Sequence, residues 1–433
     1  MRLLLALLLF APAVSAQPRV ARTTEVPAPD RGDYRAARAA VHADGDVTLA
    51  VPHRTRLTVT HSRGGATAWS RETDDELGLV SSLALAPDGA GVALAVLRPA
   101  GSAGVLALRL NGAGMPSAGA RFTPALPAAM RTDAAFTGDW KEDIEGVRAL
   151  ADGGWLALHT GQAQSLTAEG ESVAVEAFVA SRFGADGALA WTQPLDVSPA
   201  GYGAPAFRSS RDAVVVGARA TLPYDKTAIT PTGPISQSIL VDLNLATGAL
   251  SPTAGFEGML EAHGADDAFP GTTYFGATPA GRRIRLGKTG ERRTRRERGA
   301  MGSVVHTDEW FVEGDGIARG TRWDGGSPSA DLACDWGDDV ALVSESSAFD
   351  DGPPARVLRL RTVSPDGTIG NDWEVARFPY QEADGATFET HPLACGEVDG
   401  ALRVVVAQAY RTPGDASELP AATVTALDVV RGD

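Results

Sequence analysis

Cysteine is scarce in this chain, with two residues in 433, and aromatic side chains fill only 6% of positions. Two thiols, Cys334 and Cys395, with no histidine pair beside them, do not make a metal site. Long apolar runs are missing after residue 16: no later stretch reaches 18 apolar residues, so no helix there is expected to span a bilayer. Positive charge is in deficit, 39 Lys and Arg against 54 Asp and Glu, a formal net charge of −15. Such a chain repels phosphate backbones and anionic lipid, so no nucleic acid partner and no membrane insertion are expected. Sustained heptads and a three-residue glycine period are also lacking, which excludes coiled coil and collagen. Apolar residues at 44% with 21% charged exclude disorder. The sequence holds no G-x-S-x-G, no H-E-x-x-H and no EF-hand spacing. Gly287-Lys288-Thr289 fails as a P-loop, because Gly281 stands one residue too far upstream.

What is present begins with MRLLLALLLFAPAVSA. Arg2, the apolar run Leu3 to Phe10 and the small residues Val14-Ser15-Ala16 predict a secretory signal peptide cleaved after Ala16. The protein is therefore expected to be secreted or periplasmic. Its mature part is read as a single domain, 17–433, with 17–34 as a closing strand and linker.

Glycine (49) and proline (27) together fill 76 positions, about 18% of the chain against roughly 12% on average. Sorted by place, they reveal two turn types. One follows a short apolar strand: Ala43-Asp44-Gly45, Pro87-Asp88-Gly89, Asp152-Gly153-Gly154, Arg211-Asp212, Asp266-Asp267, Asp338-Asp339 and Asp399-Gly400. The other sits inside hairpins: SRGGATAW (62–69), RLNGAG (109–114), RFGADGALAW (182–191), DLNLATGAL (242–250), RLGKTGER (285–292) and SPDGTIGNDW (364–373). Tight hairpin turns demand positive φ, which Gly tolerates and Asx partly tolerates. The two series interleave, and period-2 alternation flanks each turn. Seven units of four short strands predict an all-β, seven-bladed β-propeller with four antiparallel strands per blade.

The seventh unit stops after its third strand, ATVTALDVV (422–430). RVARTTEV (19–26) alternates like the outer strands of other units and is expected to supply the missing fourth, closing the ring and covering an edge. The hairpins resemble those of secreted bacterial β-propeller-repeat proteins, and RFGADGALAW and DLNLATGAL are similar to the quinoprotein-type repeat. Only Trp69, Trp191 and Trp373 keep its aromatic residue, so the resemblance implies the fold and nothing catalytic.

Cys334 and Cys395 each precede a turn of the first type by four residues, near the end of the innermost strands of neighbouring units. In an oxidising compartment that placement suggests a disulfide, provided the α-carbons approach within about 7 Å; two buried free thiols are the alternative. The Arg-rich run 282–298 overlays an outer hairpin and reads as a solvated edge strand.

In a propeller the long second-to-third and inter-blade connections share one face, and long loops are where function collects. Candidate ligand-binding residues there are Asp139, Trp140, Glu142, Asp143, Tyr202, Trp310, Asp350, Asp351, Tyr410 and Arg411. Grouped carboxylates with aromatics suit a carbohydrate or protein ligand. No cofactor is required, although carboxylates at one end of a ring could bind calcium. The leading expectation is a monomeric binding scaffold. The alternative is an extracytoplasmic hydrolase or lyase with a carboxylate or metal site at the central channel mouth. An enzyme should gather three or more carboxylates or imidazoles there from several blades; a scaffold should not.

Overall fold

The computed structural model describes residues 17–29, 32–53, 56–72, 82–88, 91–97, 105–123, 141–166, 172–200, 213–230, 233–256, 259–263, 271–288, 310–323, 330–348, 354–379, 387–411 and 423–432. The signal segment lies outside them. Seven antiparallel sheets follow one another along the chain, and together they form a seven-bladed β-propeller. Blades 1 to 7 span 38–72, 82–122, 141–200, 214–263, 271–323, 332–379 and 387–430. Within blades 1 to 6 the strands run in sequence order from the innermost outward. In blade 4 the outermost position is shared by two pieces, Leu250–Pro252 and Met259–His263, both paired with Gly233–Asn244.

Ring closure follows the expectation. Arg19–Val26 pairs antiparallel with Thr423–Val430, from Arg19 opposite Val430 to Val26 opposite Val424, and becomes the fourth strand of blade 7.

The core is not one mass but seven layers, one between each pair of neighbouring blades. Strand alternation explains it, since successive side chains leave a strand on opposite faces. On Val47–His53, Leu49 and Val51 pack with Val405 and Ala407 of blade 7, while Ala50 packs with Leu83 and Val92 of blade 2. Each strand of an inner pair is therefore apolar on both faces and is buried like the strands of a sandwich core.

Polar ties reinforce the layers on the tight-turn face. The indole N–H of Trp69 donates to the Gly112 carbonyl of blade 2 at 3.0 Å. That of Trp191 donates to Leu245 of blade 4 at 3.1 Å. The aromatic that makes these segments look like quinoprotein-type repeats thus anchors the neighbouring blade. Within blade 1, Thr48 Oγ1 lies between His42 Nε2 (2.8 Å) and His61 Nδ1 (2.9 Å), and His61 Nε2 is 3.3 Å from Asp46. All four residues are buried, which identifies a structural network.

Blades 4 and 5 depart from the turn pattern read in the sequence. Blade 4 turns at Gly217-Ala218, after Val214–Val216, rather than at Arg211-Asp212. Blade 5 makes its first turn at 279–282, between Gly271–Ala277 and Arg283–Lys288, while Asp266-Asp267 lies outside the described residues. Its hairpin turn is Asp315-Gly316, not RLGKTGER. The described part of the Arg-rich run is consequently an inner strand. Arg285 is fully buried and paired with Glu313 at 3.0 Å beneath the Phe311 ring, so the reading of a solvated edge does not hold for it. The Pro-rich 221–236, read as a loop, belongs to a hairpin of two 12-residue strands, with Pro223 opposite Leu240 and Pro234 opposite Ile229.

The two cysteines form the disulfide, with α-carbons 6.0 Å apart, joining the innermost strands of blades 6 and 7.

Candidate functional site

The innermost strands enclose an axial cavity of about 500 Å³. Small side chains keep it open: Ala84, Ala86, Gly146, Ala149, Ala213, Gly276 and Ala277 line it. Charge enters its wall through Arg38, Arg148 and Asp331. Each innermost strand runs from the long-connection face toward a tight turn, so residues at its start lie at the mouth on the long-connection side. Asp331 immediately precedes Leu332–Trp336 of blade 6, and Arg38 opens Arg38–Val41 of blade 1.

Around Asp331 a charged cluster assembles from three blades. Its Oδ2 accepts the backbone N–H of Glu345, 2.8 Å away on Asp339–Ala348, the second strand of blade 6. The Glu345 carboxylate accepts from Arg356 Nη1 at 3.0 Å, and the same nitrogen donates to Ser347 Oγ at 2.8 Å. Blade 7 contributes Glu389 and His391 from Thr387–Val398. They stand two residues apart on a strand and so share a face, with Nε2 of His391 3.3 Å from the Glu389 carboxylate. Arg35, on the segment leading into blade 1, grips Glu389 through both Nε and Nη2.

These groups differ in which protonation state the site favours. Enclosure by protein raises the Asp331 pKa above the usual Asp value, although the side chain stays accessible. Burial also raises Glu345, with repulsion from Asp331 and Glu389 adding to it and Arg356 opposing. Glu389 is held below the usual range, chiefly by the hydrogen bonds from Arg35. His391 is lowered by burial, against the pull of Glu389. Within the cluster two carboxyls are thus pushed up, while one carboxyl and the imidazole are pushed down.

The residues singled out from the sequence are placed differently. Glu142 and Asp143 lie on Lys141–Ala149, the innermost strand of blade 3, opposite Gly161 and Thr160. Trp310 opens Trp310–Gly314, the third strand of blade 5, and is buried, so its ring is part of the blade's packing. Tyr410 and Arg411 end Ala401–Arg411 in blade 7, opposite Phe388 and Thr387, on the strand pair that carries Glu389. Asp139, Trp140, Tyr202, Asp350 and Asp351 lie outside the described residues. The cluster around Asp331 contains none of the ten. One signal for it was in the sequence: Glu389-Thr390-His391 places an acid and an imidazole on the same face of a strand. Among the described residues no group of His, Cys, Asp and Glu is arranged to hold a metal ion, and no helix is long and apolar enough to cross a membrane.

No family model matches the chain and no curated protein matches it, so the quinoprotein-type repeat has no support beyond its turn chemistry. Solved structures similar to it include the polysaccharide lyase Uly1, at 10% identity and TM-score 0.43, covering 96% of this chain and 97% of that one. Another is the subtype N10 neuraminidase-like protein of A/little yellow-shouldered bat/Guatemala/060/2010, at 9% identity and TM-score 0.35, covering 96% and 99%. Likeness at this level says nothing about activity; the propeller rests on the chain's own seven sheets and seven core layers.

Proposed function

We propose that this chain is an exported hydrolase or lyase that works on a carbohydrate or peptide at the long-connection mouth of its channel. The observation that carries this is the convergence of Asp331, Glu345, Glu389 and His391 from blades 6 and 7, with Arg35 from blade 1. Carboxyls whose proton affinities shift in opposite directions, with an imidazole beside them, are the groups that general acid–base chemistry uses. Asp331, accessible from the channel, is suited to deliver a proton. Glu389 holds His391 in place to accept one.

The test is product release from a panel of polysaccharides and peptides, followed by mass spectrometry, for the native protein and for Asp331→Asn and Glu389→Gln. Each variant should lose roughly 100-fold or more in turnover. Activity should vary with pH through Asp331, whose titration burial pushes up, and through His391, whose titration burial pushes down, and a flat profile would count against both roles. Ligand binding without turnover, unchanged in both variants, would restore the scaffold reading.

A further inference from the structure

We propose that the Cys334–Cys395 disulfide is a positioning staple for the channel-mouth site, setting the spacing between Asp331 and the Glu389–His391 pair. The inference deepens the proposed function and rests on its reading of that cluster. Asp331 lies three residues before Cys334, and His391 four residues before Cys395, each on or beside the strand that holds its cysteine. Those strands belong to different sheets. Leu332–Trp336 pairs with Asp339–Ala348, and Thr387–Val398 with Ala401–Arg411, so no backbone ladder joins them to each other.

What joins them is a series of side-chain links ordered along the strands. At the tight-turn end the Gly337 N–H donates to Glu397 at 2.6 Å, and the Trp336 indole donates to the Gly400 carbonyl at 3.3 Å. The disulfide comes next, buried within the layer between blades 6 and 7. Beyond it, toward the mouth, lie Asp331 on blade 6 and His391 on blade 7. The disulfide is the covalent link between the two strands, three residues from Asp331 and four from His391. A register shift between Pro392 and Ala394 falls between staple and imidazole. Such bulges bend a strand and re-aim its side chains, so the staple fixes the strand on one side of a bend and His391 projects from the other. Without the link the covalent restraint on this side of the two strands is lost, and the hydrogen bonds at the tight-turn end lie farther from the site.

The readout is the titration of His391, followed by NMR on histidine-labelled full chain, in a Cys334→Ala/Cys395→Ala variant. Glu389 beside it, Arg35 on the segment leading into blade 1 and Asp331 from blade 6 are the charged groups that act on this imidazole. Parting of the strands would let water in and move the His391 midpoint up toward the ordinary histidine value, by about half a pH unit or more. Val429→Ala is the control: it opens a cavity in the same layer and leaves the staple intact. It should leave the midpoint within about 0.2 pH unit. If the double alanine variant does not fold, Cys334→Val/Cys395→Ala refills the volume and is measured instead. An unmoved midpoint without the disulfide, or an equal move in Val429→Ala, would overturn the staple. The titration is read without any substrate, so an inactive protein whose midpoint moves as expected defeats the catalytic reading and leaves the staple standing.

Discussion

Arg285 shows how far the environment of a residue can depart from its type. Its side chain is fully buried on the second strand of blade 5, paired with Glu313 at 3.0 Å, whose side chain is 2% exposed. Removing two charges from water costs about as much as their attraction returns, so the pair adds little net stability. Removing one partner is different, because a charge is then left buried without its counterion. Glu313→Leu should destabilise by about 3–5 kcal/mol, whereas Arg285→Met with Glu313→Leu should come back to within about 1–2 kcal/mol of the native protein. Urea unfolding of the two variants measures the difference, and equal losses would mean that the pair contributes attraction well beyond its desolvation. The candidate site obeys the same physics with a different outcome. There Asp331 lines an open cavity, and the departures of Asp331, Glu345, Glu389 and His391 run in both directions.

At the scale of elements, the turns carry the fold, and one of them gives a sharp test. Gly114 sits at φ 71° in the hairpin of blade 2, and a Cβ there would lie 2.6 Å from the Trp69 ring of blade 1. Gly114→Ala should cost about 1–3 kcal/mol through backbone strain and overpacking together. A thermal melt indistinguishable from the native protein would show that the blades can slide apart at no cost. Such turns made blades 1, 2, 3, 6 and 7 legible in the sequence, since each kept Asp or Asn with Gly where positive φ is needed. Blade 4 turns on Gly217-Ala218 with no acidic partner, and a neighbouring Arg211-Asp212 took its place in the reading. In blade 5 the Asp315-Gly316 turn was in plain view, but RLGKTGER imitated a hairpin while its first four residues, 285–288, end an inner strand. The hairpin across 221–236 was hidden by prolines that both its strands accommodate. The site was harder still. Glu389 and His391 could be paired by strand period, but their meeting with Asp331 and Arg35 depends on which blades adjoin. Sequence spacing does not carry that: Arg35 and Glu389 are 354 residues apart.

For the whole molecule, the decisive contact is the one between Arg19–Val26 and Thr423–Val430. Removing residues 17–26 should lower the melting temperature and expose Thr423–Val430 as an unpaired edge. Light scattering should then show association that rises with concentration, as open edges recruit other chains. A monomer with an unchanged melt would mean that the inter-blade layers alone hold the ring. The closure also imposes an order in time. The strand that seals the ring is made well before its partner, with Val26 opposite Val424. At roughly 5–20 residues per second, about 400 residues of synthesis separate them, a wait of roughly 20–80 s. During that interval the leading strand has no lawful neighbour, while six blades accumulate behind it with one flank bare. Ring closure can therefore only follow the synthesis of all seven blades, which makes it a late step in the first folding of this chain.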